Sequence, residues 1–142
     1  MTSFKQFYKR PVLGVGEVID IAGIGPVKAK IDSGNEAFNV LHGTNIKDEN
    51  NEVSFTTVNN KSIKKPRHNT ITIHIGSGVK EDRPVVLFDI KVDGKEYKDV
   101  PFSIADRTEN EEPVLVGEPF VKQLNALIDV KKDNSETSKS EA

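Results

Sequence analysis

The feature that most constrains the fold is a repeated one: short runs rich in Val, Ile and Thr, each cut off by Gly, Pro, Asn or Asp. β-branched side chains pack well on a pleated surface and lose rotamer freedom in a helix, so such runs favour strands. Their recurrence predicts an all-β domain and not strand-helix alternation. About seven strands can be placed in this way. Val12 to Ile21 and Pro26 to Ile31 flank Ala22-Gly23-Ile24-Gly25, a glycine-containing turn that suits a hairpin. Val53 to Val58, Asn69 to Ile75 and Val85 to Val92 follow, and Asp93-Gly94 is a strong two-residue turn signal leading into Lys95 to Ile104.

Toward the end of the chain Val114-Leu115-Val116 forms an uninterrupted apolar run, expected as a strand buried on both faces and ended by Gly117. A brief helix should come next. Pro119 suits a first helical turn, Phe120, Val121 and Leu124 fall on one face, and Asn125 can close it. Leu127-Ile128-Asp129-Val130 reads as the last strand. Lys131 to Ala142 holds no large apolar residue, so it cannot offset the entropy of ordering and is expected to be a disordered tail. The polar, asparagine-rich stretch from Asn45 to Lys65 reads as a variable surface loop, with a mobile hairpin as the alternative.

A chain of 142 residues supports one modest core. The expected organisation is an N-terminal arm over 1–11, one domain over 12–130 and a tail over 131–142. With 20 basic and 22 acidic residues interspersed and a net charge of -2, no basic surface invites nucleic acid. The absence of cysteine excludes disulfides and thiol chemistry and fits a reducing compartment, so a cytoplasmic setting is expected, in a bacterial cell or a virus-infected host cell. No apolar run resembles a signal peptide or approaches the roughly 20 residues of a membrane helix, so no membrane partner is expected.

The chemistry concentrates in Ile31-Asp32-Ser33-Gly34. A carboxylate directly after an alternating strand can be held rigidly near backbone donors, where its acidity can be tuned. Ser33 offers a hydroxyl to a facing backbone, and Gly34 permits close approach of a second chain. Alone, the tripeptide is also an ordinary turn. The later Val114-Leu115-Val116-Gly117 with its short helix supplies the second half of a pattern.

These residues resemble the Asp-Thr/Ser-Gly motif and the apolar-apolar-Gly-helix segment of retropepsins. Together with Val40-Leu41-His42, Asp106-Arg107-Thr108 and Leu127-Ile128-Asp129-Val130, they are similar to a bacterial and phage retropepsin-like family that carries the label ATP-dependent zinc protease. Some of its members lie beside ATP-grasp glutamate ligases. The resemblance implies a retropepsin-like acid-protease half-barrel with one short C-terminal helix. It further implies a homodimeric aspartic endopeptidase in which Asp32 of each copy is catalytic. Ser33, Gly34, Asn35 and Gly117 would support the site, the chain termini would contribute to a dimer sheet, and a flap within Val53 to Val79 would cover an extended peptide or protein substrate.

Two departures bear on activity. Asn35 stands where the family has alanine. Glu36 and Glu118 stand where retroviral relatives pair an acid with an arginine, so that ion pair is absent; if the two glutamates approach one another in a poorly solvated site they repel, and must then be exposed, protonated or otherwise compensated. They motivate the alternatives of a catalytically silent peptide-binding or structural module, or a peptidase acting on glutamate-extended protein tails. The ATP and zinc of the family label find no support in the residues. Gly14-Val15-Gly16 is too short for a phosphate loop, and His42, His68 and His74 lack metal-site spacing, so no cofactor or metal is expected.

Overall fold

Along β2 (Gly25–Ile31) the side chains of Val27, Ala29 and Ile31 are buried while Pro26, Lys28 and Lys30 face outward, the period-two pattern of a strand with one face on a core. The same logic forms β1 (Val12–Ile21), β8 (Lys80–Val92) and β9 (Lys95–Ala105). The computed structural model describes residues 10–32, 39–74, 76–110 and 112–136. The remaining elements are β3 (Asn39–His42), β4 (Thr44–Glu49), β5 (Glu52–Thr56), β6 (Ser62–Pro66), β7 (Asn69–His74), β10 (Val114–Val116), the helix α1 (Glu118–Leu124), β11 (Leu127–Asp133) and a 3-10 turn over Asn134–Glu136.

Six strands close a ring in the order β1, β2, β10, β3, β9, β8, completed by the antiparallel pairing of β8 with β1, Ile19 opposite Val92 and Ile21 opposite Ile90. Closure removes the edges that an open sheet would expose. The long strands serve two neighbours in turn. β1 pairs with β11 over its first half and β2 over its second, and β8 pairs with β7 before it pairs with β9. Inside the ring Phe88 and Phe102 meet edge to face at 6.0 Å, packed among Ile19, Ile21, Leu41 and Ile104.

The local signals act as expected at the turns and the helix. Asp93 and Gly94 both take positive φ, 50° and 77°, the mirror-image turn that matches strand twist. Helix α1 buries Phe120, Val121 and Leu124 and ends at Asn125 in the left-handed region.

Three expectations are corrected. The Asn45 to Lys65 stretch is not a loop: β4, β5 and β6 form a separate antiparallel sheet. Asn50 and Asn51, at φ 54° and 62°, make its first hairpin turn, so the asparagines mark a tight turn between strands. Val53 and Phe55 face the barrel core, while Lys65 donates to the Leu87 carbonyl at 2.5 Å with its ammonium 4.2 Å from the centre of the Phe88 ring. Second, β8 begins at Lys80, five residues before the expected Val85, because its polar first part pairs with β7 in an exposed hairpin. Third, Lys131 to Glu136 is ordered: β11 runs to Asp133 and the 3-10 turn follows. Residues 1–9 of the expected arm and 137–142 of the expected tail lie outside the described residues.

That last segment is docked by β1. Glu17, 4% exposed, accepts the Gly14 N–H at 2.7 Å and an amide N–H of Asn134. A Cβ on Gly14 would lie 2.3 Å from the Lys132 carbonyl oxygen, and one on Gly16 would lie 2.3 Å from Asp133 Oδ1. The two glycines therefore leave room for the returning chain.

Candidate active site

β2 and β10 run parallel, with Val116 opposite Ile31, so the two strands end together and deliver Asp32 and Gly117 side by side. The Asp32 backbone N–H donates to the Val116 carbonyl at 2.9 Å, extending the ladder by one bond and fixing the residue from which the carboxylate springs. Asp32 is half-buried. Of the expected supporting residues, Gly117 is brought beside it. Ser33, Gly34 and Asn35 lie outside the described residues, as does Glu36.

Gly117 is held by a residue that the sequence reading missed. Asn39, 3% exposed at the start of β3, accepts the Gly117 N–H through Oδ1 at 3.2 Å and donates through Nδ2 to the Pro101 carbonyl at 3.2 Å. Its own carbonyl accepts the Ser103 hydroxyl at 3.3 Å. One buried amide thus ties the end of β10 to β9 across β3, and each of its polar groups is satisfied. An asparagine opening the apolar Asn39-Val40-Leu41 run was the available signal.

Gly117 also caps α1, with extended φ and ψ of -92° and 174°. Glu118 begins that helix and pairs with Lys122 one turn on, Oε1 to Nζ 2.6 Å, so its charge is offset within the helix.

The other sequence-flagged residues fall elsewhere. His42 ends β3, at the end of the β3–β10 pair away from Gly117, with Asp106 3.9 Å from its Nδ1. His68 precedes β7, and His74 closes that strand. Among the described residues no three His, Asp or Glu side chains gather as metal ligands, and no helix is long and apolar enough to cross a membrane. Of the hairpin of β7 and β8, Asn69–His74 against Lys80–Val85, only the β7 arm falls within Val53 to Val79, the segment expected to hold a flap, and β7 is an outer strand of its sheet.

The described residues define a mostly β protein built on a closed six-stranded barrel, with one short helix among them. No family model and no curated protein matches it. Among solved structures it is similar to Lpg0085 of Legionella pneumophila subsp. pneumophila str. Philadelphia 1, a protein of unknown function (DUF785). The two share 22% identity and a TM-score of 0.73 over 88% of this chain and 97% of that one. At this identity the likeness is one of fold.

Proposed function

We propose that the chain is one subunit of a homodimeric aspartic peptidase with a retropepsin-like fold, in which Asp32 of two copies share one site. The observation that carries this reading is the setting of Asp32: a half-buried carboxylate at the end of a barrel strand, its backbone anchored to Val116, with Gly117 alongside. Aspartic proteolysis needs two such carboxylates sharing a proton. One takes a proton from water as the water attacks the peptide carbonyl, and the other donates a hydrogen bond to the developing oxyanion. The pair titrates as a unit. The chain holds one Asp-Ser-Gly, so the second carboxylate comes from a second copy across a two-fold axis. The outer strand β7 suits an extended peptide bound by strand-like hydrogen bonds under the hairpin.

Replacing Asp32 by Asn tests the reading. Cleavage of a diverse peptide library between pH 4 and 7 should fall by about 10²- to 10⁴-fold, with the circular dichroism spectrum and the sedimentation of the dimer unchanged. Equal cleavage by the variant, or a wild-type chain that stays monomeric with substrate-like peptide present, rejects it. The second reading, a module that binds an extended peptide without cutting it, draws on Asn35 and on Glu118 occupying the place of an arginine. It is favoured if the wild-type dimer binds library peptides and hydrolyses none. Release of glutamate from a glutamate-extended tail, with no general cleavage, would narrow the substrate to the third class.

A further inference from the structure

Outside the proposed site, one ionisable ring is built into a loop in a single protonation state. The His42 side chain is 11% exposed, and its Nδ1 accepts the backbone N–H of Arg107 at 2.8 Å. An imidazole nitrogen that accepts a hydrogen bond carries no proton, so the ring here is neutral with its hydrogen on Nε2. The loop it holds joins β9 to β10. Both ends of that loop are tied to the same place by backbone bonds: Gly43 N–H to the Ala105 carbonyl at 3.0 Å, and His42 N–H to the Pro113 carbonyl at 2.7 Å. Between them the ring nitrogen is a tie that is lost when the ring takes up a proton at Nδ1.

The charged surroundings supply a second partner. Asp106 Oδ1 lies 3.9 Å from Nδ1, an acceptor facing an acceptor while the ring is neutral, and near enough to attract a charged ring. Hydrogen bonds from the Thr108 hydroxyl and backbone, with His42 a smaller contributor, hold the Asp106 carboxyl below the usual carboxylate range, so it stays ionised in mildly acidic solution. The neighbouring strand ends, Ile104-Ala105 of β9 and Val114-Leu115 of β10, carry no charge. The Arg107 guanidinium is turned to the Glu112 carbonyl, Nε to oxygen 3.0 Å.

We infer that His42 is a proton-operated latch for the Asp106–Asn110 part of the loop between β9 and β10. When neutral it accepts from the Arg107 N–H and holds the loop closed. When protonated at Nδ1 it expels that N–H and donates to the Asp106 carboxylate instead. The exchange loosens the chain at Arg107 and leaves the Gly43–Ala105 and His42–Pro113 bonds fastened. The loop feeds β10, whose far end carries Gly117, so the latch acts on a segment leading to Asp32. It does not rest on peptidase chemistry, and a chain without turnover would show it equally.

The test is amide hydrogen exchange of the full chain by NMR from pH 8 to pH 5, expressed as protection relative to the unfolded rate, with His42 ring proton shifts recorded alongside. Protection of the Arg107 amide should fall about three- to tenfold as the ring titrates, the loss of one hydrogen bond. The His42 and Gly43 amides should keep theirs. H42N places an amide oxygen where Nδ1 was, and Arg107 protection should then be flat across the range. D106N, at an exposed carboxylate, should move the loss to lower pH and keeps the test available if H42N folds poorly. Arg107 protection that holds constant while the ring titrates overturns the inference. So does a fall shared by Arg107, His42 and Gly43, which would mark general loosening.

Discussion

The barrel and the β4–β6 sheet bury apolar residues by different means. In the ring each strand has a neighbour on both sides, and its interior is filled by side chains from several strands, among them Phe88, Phe102, Ile19 and Ile104. The three-stranded sheet has two open edges and one apolar face, supplied by Val53, Phe55 and the partly buried Ile63. Polar ties complete its attachment: Lys65 to the Leu87 carbonyl, and Lys61 and Asn59 to the Ile24 carbonyl, both at 2.9 Å. The contrast shows that a small sheet can be docked on a closed barrel with few apolar anchors if its inward amines and amides find backbone acceptors. It also suggests an order of stability, with the barrel opening as one unit and the sheet able to open first.

The sharpest break of that order is in the barrel itself. Phe102→Ala should cost about 3 to 5 kcal/mol in urea unfolding, spread over every slow-exchanging amide, because the cavity lies inside the closed ring. An effect confined to β9 would mean that the ring is not cooperative. Phe55→Ala removes a ring of the same size from the docked sheet. Amides of β4–β6 should lose about 3 kcal/mol of protection while those of β1, β2 and β9 lose much less, and equal losses would dissolve the distinction between the two regions.

Asn39→Ala comes next, at about 1 to 3 kcal/mol, since it strands the buried Gly117 N–H and the Pro101 carbonyl. Its measurable signature is faster exchange at Gly117 with β4–β6 unchanged. The smallest effect belongs to Lys65→Met, which keeps the apolar stem and loses the hydrogen bond and the aromatic contact. About 1 kcal/mol or less, confined to the β6 amides, is expected by hydrogen exchange. A larger loss would make this lysine, and not Phe55, the main anchor of the sheet.

The same contrast explains what could be read along the chain. The first hairpin was legible because Val27, Lys28, Ala29, Lys30 and Ile31 alternate against a single core face. Of the β4–β6 sheet only β5 was legible, as the Val53 to Val58 run, because β4 is almost wholly exposed and its turn is made of the residues that also fill loops. At the site, Asp32 and Gly117 were visible as the ends of two apolar strands, and α1 announced itself through Pro119, Asn125 and its buried face. Asn39 was hidden, since an asparagine at a strand start reads as a turn residue until β3 is seen between β10 and β9. His42 was noticed only as part of Val40-Leu41-His42 and set aside as a metal ligand, and nothing local announced its contact with an amide on a loop distant in sequence.

By itself the sequence determined what depends on near neighbours: which segments are extended, where the backbone must take positive φ, and where the helix stops. Only the tertiary structure decided the closure of the ring, the docking of β4–β6, and the return of Lys131–Glu136 across Gly14 and Gly16. The physical reason is range. Side-chain alternation and turn sterics act over a few residues, while strand pairing and burial join residues far apart, whose complementarity exists only once both are in place.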